Sequence, residues 1–160
     1  MTKWEQTRAI ATWLAVCAWI SLITTLSGEG FSNESTSRFI GPLLGWLFPD
    51  AAPGTIEALH DAIRKTAHAV EYAVLAILTS QAVRWSLPLS PGGSTALVLA
   101  LVLAVATADE THQASLPERD GSVWDVALNG VGGAAGLGLW FAFRWARGEG
   151  RASGRVRAGR

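Results

Sequence analysis

Apolar residues in this chain come in long runs, and four of those runs predict helices that cross a membrane. A hydrocarbon core about 30 Å thick takes about 20 helical residues at 1.5 Å each. The first run, residues 8–26, has no charge after Arg8, and the second, 67–85, has His68 and Glu71 near its start and Arg84 at its end. The third is cleanly apolar only from Thr95 to Ala108. To span, it must continue through Asp109 to Gln113, which predicts a helix over 95–113 whose polar end sits at or just below the interface. The fourth, 123–144, carries Asp125 and Asn129 in its first two turns. The expected fold is therefore all-α: a polytopic membrane bundle of four transmembrane helices. No internal repeat is present.

The long connection from Ser27 to Arg64 holds turn signals at Gly28, Gly30, Pro42, Pro49, Pro53 and Gly54. Within it, Phe39 to Phe48 is apolar but too short to span, which predicts an interfacial segment between the first and second spans. Residues Thr55 to Lys65 read as helix leading into the second span, with Asp61 and Lys65 four apart on one face. Ser86 to Ser94 is short and uncharged, and Pro88, Pro91, Gly92 and Gly93 read as a turn. The expected domain covers residues 1–145. Residues 146–160 lack core-forming periodicity and read as a disordered Arg-rich tail. A cleaved signal peptide is the competing reading of the first run; the run exceeds a usual signal core and lacks a small-x-small site, so an uncleaved helix is expected.

Composition agrees: 49% of residues are hydrophobic and 16% charged, against roughly 25% charged in ordinary soluble domains. Of eight Trp, Trp4, Trp85, Trp124 and Trp145 lie at the edges of apolar runs, where their rings favour the headgroup zone. One cysteine, Cys17, excludes a disulfide framework and a cysteine-ligated zinc site. Net charge is zero, but the charges are segregated. Residues 144–160 hold six Arg and one Glu, Ser27 to Arg64 five acids and two Arg, and Asp109 to Ser122 four acids and one Arg. The positive-inside rule puts the C-terminus in the cytoplasm, and four spans put the N-terminus there too. Both acidic connections then face the extracytoplasmic side.

Polar residues converge on that side. Lys65, His68 and Tyr72 share one face of the second span, and Ser122, Asp125 and Asn129 repeat the spacing on the fourth. His68 and Asp125 each lie about 4.5 Å, and Tyr72 and Asn129 each about 10 Å, along from Lys65 and Ser122. The third span reaches the same level with Asp109, Glu110, His112 and Gln113, and Arg119 arrives on the connection after it. Ionisable groups in a span are costly to bury, so they mark a functional site or a network that ties helices together. For His60 and His112 the expected setting is the exposed interface, and Glu71 stands three residues from His68 as a partner for it or for Arg64. Gly132, Gly133 and Gly136 continue the polar face of the fourth span as a close-packing surface. No G-x-x-x-x-G-K-[ST], H-E-x-x-H or G-x-S-x-G motif occurs.

Lys65-x-x-His68-x-x-x-Tyr72, then Asp109-Glu110-x-x-Gln113, then Arg119-x-x-Ser122-x-x-Asp125-x-x-x-Asn129 before a Gly-rich helix resembles the VanZ-like family. The resemblance covers residues from about 57 to 140, with Glu118 where that family often has Gly. It implies a multi-pass protein of the bacterial cytoplasmic membrane, related to one that raises resistance to the lipid-bearing antibiotic teicoplanin. It supplies no reaction.

Three functional classes follow. In the leading one, an anionic headgroup of a membrane lipid or lipid-linked envelope precursor binds in the outer leaflet. Lys65 and Arg119 hold phosphate oxygens, His68 and Tyr72 donate hydrogen bonds, and Gln113, Ser122, Asp125 and Asn129 complete the ligand-binding set. In the second, a lipid-phosphate hydrolase or headgroup transferase uses His68 as acid/base or nucleophile with Asp109 or Glu110 as its catalytic partner. Asp109, Glu110 and Asp125 are hard oxygen ligands of the kind magnesium takes, but nothing fixes their spacing, so no metal and no cofactor is assigned. In the third, the polar groups only hold together an accessory subunit of another membrane protein. No folded basic surface accompanies the Arg-rich tail, which excludes nucleic acid as its partner.

Overall fold

The computed structural model describes residues 2–28, 33–115 and 122–149, with the side chains of 33–35 left out. These residues form five helices and no strand: α1 Lys3–Leu26, α2 Asn33–Leu47, α3 Pro53–Ser86, α4 Pro91–Ala114 and α5 Val123–Ala146.

Local chemistry sets the ends. Thr2 and Glu5 form a reciprocal capping box at the start of α1. Pro53 and Pro91 each occupy a first-turn position, where a missing N–H costs nothing. Ser90 caps α4 by accepting from the Gly93 amide at 3.2 Å. The expected turn over 86–94 therefore shrinks to residues 87–90, and α4 begins four residues earlier than its apolar run. At its other end α4 continues through Asp109 to Gln113, as a spanning helix requires. Leu87, ahead of Pro88, is extended and stops α3.

Three helices, α1, α4 and α5, are long and apolar enough to cross a membrane. The second expected span falls inside α3, whose run is broken by His68, Glu71, Gln81 and Arg84. Its polarity follows from its position. Helix α3 packs against all four other helices, and Tyr72, Leu75, Ala76, Thr79, Ala82 and Val83 along it are buried. A central helix meets neighbouring helices rather than lipid, and its polar groups can find partners there, so its surface need not be apolar all round. The outer helices behave oppositely. On α1, Ala9, Val16 and Ile23 face inward while Ile10, Leu14 and Leu22 are exposed, as suits a helix with lipid on one side and protein on the other.

Helices α3 and α5 run parallel at backbone contact. A Cβ on Gly132 or Gly136 would overlap the carbonyl of Ala69 or Ala73 respectively, so only glycine permits this approach. Helices α1 and α4 run antiparallel to them: Trp13 Nε1 of α1 donates to Ser86 Oγ at 2.8 Å and Trp19 Nε1 to the Glu71 carbonyl at 2.9 Å, and on α5 Gly130 faces Leu103 of α4 while Gly133 faces Val102. Phe39, Leu43, Trp46 and Leu47 of α2 are exposed and only Leu44 is buried. This apolar outer face fits the expected interfacial segment.

Two expectations change. His60 is 4% exposed, not interfacial, because α2 folds over it and Thr36 meets its Nε2 at 3.2 Å. The start of the expected tail is ordered: α5 runs to Ala146, and Gly148, at φ +75°, turns the chain so that Glu149 returns to Arg144. Residues 150–160 lie outside the described residues.

Candidate functional site

The end of the bundle where α1 and α4 finish and α5 begins holds a polar cleft with three walls. Helix α3 contributes Arg64, Lys65 and His68; α4 contributes Glu110 and Gln113; α5 contributes Asp125, Leu128 and Asn129. The matched depths expected for α3 and α5 are not realised: the Gly132/Ala69 and Gly136/Ala73 contacts shift the register six residues from the expected Lys65/Ser122 alignment, about 9 Å, so Asn129 stands level with the Lys65 turn and Tyr72 lies deeper, out of the cleft. The cavity volume is about 10 Å³, room for one water-sized group. A larger ligand must rest at its mouth.

Behind the cleft, a second polar layer is closed. Asp109 Oδ2 accepts from Ser27 Oγ at 2.9 Å, Gln113 Nε2 at 3.0 Å and Tyr72 OH at 3.3 Å. Those donors come from α1, α3 and α4, so one carboxylate oxygen ties three helices together. Ser27 and Tyr72 are fully buried and Asp109 is 6% exposed. Oδ1 of Asp109 is buried with no partner among the described residues.

Of the residues singled out in the sequence, Lys65, His68, Glu110, Gln113, Asp125 and Asn129 line the cleft, while Tyr72 and Asp109 belong to the layer behind it. Ser122 starts α5. Its Oγ accepts from the Trp124 amide, and its own amide donates to Glu110 Oε2 at 3.1 Å. Arg119 lies outside the described residues. Nδ1 of His68 meets Oε2 of Glu71 at 3.0 Å, the pairing that their three-residue spacing offered, rather than Asp109 or Glu110 as in the catalytic reading. The reason is directional: Asp109 is turned toward Ser27 and Tyr72, and Glu110 toward the start of α5.

Two residues were not read as part of the site. Ser27 gave no signal, since it is one small residue at the end of an apolar run. Arg64 did carry one, standing four residues before His68 on the face that reaches the cleft. Its Nε is buried and has no partner among the described residues, while its NH2 reaches Asp61 at 3.2 Å. Lys65 does not neutralise Asp109 or Glu110; it pairs with Asp61 at 2.8 Å on the open side of α3. The Lys65 hydrogen bond holds the Asp61 carboxyl below its usual value, and Asp61 in turn raises Lys65. Oδ1 of Asn129 is also buried without a partner among the described residues. Asp109, Glu110 and Asp125 do not gather as a metal-ligand set among the described residues.

The profile of the VanZ/LLP1 family matches residues 10–144, taking in most of α1, all of α2, the cleft and almost all of α5. The chain belongs to the VanZ/LLP1 family. The match starts well before the motif-bearing helices, so it extends over the first helix and the long connection of this VanZ/LLP1 protein as well as the segments that carry the polar motifs. A search of curated proteins found no match, and neither did a search of solved structures. In this VanZ/LLP1 chain the motif residues thus divide by depth into an open cleft and a closed layer that joins helices.

Proposed function

We propose that this VanZ/LLP1 protein binds or handles the anionic headgroup of a membrane lipid or lipid-linked envelope precursor at the extracytoplasmic side of the bacterial cytoplasmic membrane. Four helices cross in this reading. Since α3 lies antiparallel against α1 and parallel against α5 over their length, three crossings in the neighbours carry the centre of α3 across as well. The observation that carries the ligand is the cation pair Arg64 and Lys65 at the mouth of the cleft, with Arg64 Nε buried and unpartnered among the described residues. A buried guanidinium N–H without an acceptor is costly, and a phosphate oxygen satisfies it. The small cavity keeps the headgroup at the mouth, where Asp125 meets hydroxyl groups, with Asn129, 2% exposed, behind it. Arg119 joins this set on its sequence motif alone. A link to glycopeptide resistance of the teicoplanin type extends the same reading through the family.

The test is the lipid that co-purifies in mild extraction, identified by native mass spectrometry. Anionic lipid retained by wild type and lost by the Arg64→Gln, Lys65→Gln double variant supports the reading; equal retention overturns it.

The His68–Glu71 pair supports a second reading, hydrolysis or transfer of a lipid phosphate ester. With Nδ1 held by Glu71, only Nε2 is left to act in the cleft, the arrangement a general acid/base needs. Turnover of a labelled lipid phosphate that survives His68→Ala removes it. The accessory-subunit reading draws on the Asp109 layer, which joins helices without facing the cleft.

A further inference from the structure

The opposite end of the bundle holds a larger cavity of about 270 Å³ between the end of α3, the start of α4 and the end of α5. Leu87, Leu89, Val98, Leu137 and Phe141 line it, and two cations, Arg84 and Arg144, stand on its lining with them. Both cations reach the same atom. Oε2 of Glu149 lies 3.0 Å from Arg84 NH1 and 3.2 Å from Arg144 Nε. Glu149 arrives there only because Gly148 takes a left-handed φ of +75°, which folds the chain back over the end of α5.

This end also has the marks of a headgroup zone. The Arg8 guanidinium stacks 5.0 Å from the Trp4 ring and 4.9 Å from the Trp85 ring, and Arg144 lies 5.9 Å from Trp140. Amphipathic rings and cations of this kind gather where hydrocarbon meets water.

We infer that this cavity is a second lipid site, in which Arg84 and Arg144 hold the phosphate of an anionic phospholipid, one acyl chain lies among the leucines and Phe141, and the Glu149 carboxylate occupies the phosphate position when no lipid is bound. Two guanidinium groups converging on one oxygen is the geometry of an oxyanion site. The lining is mixed, with Ser80, Ser94 and Thr95 beside the leucines, and its apolar part disfavours a free inorganic anion as the best-fitting ligand, since the leucines then stay uncovered. The occupant is a lipid because both halves of the cavity need filling. Glu149 competes with it, so the site is self-capped.

The experiment uses the full chain in detergent and a phosphatidylglycerol with a photoactivatable group in its acyl chain, with cross-links mapped by peptide mass spectrometry. Cross-links are expected in the segments around Leu87–Val98 and Leu137–Phe141. Glu149→Gln removes the competing charge at a partly exposed position and should strengthen labelling, whereas the Arg84→Gln, Arg144→Gln double variant, which loses two charge-assisted hydrogen bonds, should weaken it at least about tenfold. Inorganic phosphate in excess should not displace the label. Lys65→Gln, at the other end, should leave these cross-links unchanged, which separates this site from the first. Labelling that is confined to the Lys65 end, insensitive to Glu149→Gln, or abolished by inorganic phosphate overturns the inference. Should the double variant fail to fold, the Glu149→Gln comparison alone decides it.

Discussion

The Ser27 hydroxyl at the C-terminal cap of α1 donates a 2.9 Å hydrogen bond to Oδ2 of Asp109 on α4, joining residues 82 positions apart in a fully buried layer. This bond fixes the end of the first helix to the floor of the cleft. Ser27→Ala should cost on the order of 1 kcal/mol, the worth of one such bond. Asp109→Ala strands three donors and should cost on the order of 3 kcal/mol. Thermal unfolding in detergent measures both, and equal small losses would deny Asp109 its joining role.

The α3/α5 contact predicts a contrast among glycines of one helix. Gly136→Leu drives a side chain into the Ala73 backbone and should abolish folded protein or shift α5 away from α3. Gly138→Ala meets nothing within 4 Å, and should stabilise by about 1 kcal/mol through helix propensity. Monodisperse yield and unfolding temperature of the two variants check this.

The Asp61–Lys65 pair has a defined pH window. Asp61 is depressed in the folded state, so its contribution is present above the unfolded value of about 3.9 and lost as pH falls through the folded one. Lys65 is raised, so its contribution is full below about 10.4 and lost as pH rises through the folded value. The unfolding-temperature difference between wild type and Asp61→Asn should therefore be flat across the neutral range and shrink at both extremes. It should be small throughout, since both side chains are about 40% exposed. A step near neutrality would mean another group controls the pair.

Asp61 also restrains the cations of the cleft. Asp61→Asn releases Lys65 and one Arg64 nitrogen, so retention of anionic lipid should rise several-fold, about 1 kcal/mol per charged hydrogen bond redirected. Lipid quantified after mild extraction gives the answer, and a fall would place Asp61 among the ligand's own contacts.

The crossing of α3 can be measured with single cysteines in a Cys17→Ser background. Glu57→Cys lies near the start of the central helix and Leu89→Cys in the connection just after its end, and an impermeant thiol reagent should label them from opposite sides of the membrane. Labelling of both from one side would remove the fourth crossing.

Much of this was visible along the chain. The apolar runs of α1, α4 and α5 announce themselves because lipid-facing surfaces must be apolar, and the i, i+3, i+7 spacing of Lys65, His68 and Tyr72 marks one helix face whatever it packs on. Helix α3 was harder, since its polar residues answer to neighbouring helices that hydropathy does not see. The start of α4 at Pro91 was hidden for another reason: Ser90-Pro91 signals a cap as well as a turn, and the flanking glycines favoured the turn.

What the sequence by itself determined is the set of helices that must be apolar, the face on which each polar group stands and the family those groups belong to. Partnership was decided only in three dimensions. Whether Asp109 faces His68 or Ser27, and whether Tyr72 faces a ligand or a carboxylate, depends on rotations and approaches of helices that spacing leaves free. Those are set by backbone contacts such as Gly136 on Ala73, where an absent side chain brings two helices within reach and so chooses which polar atoms can touch.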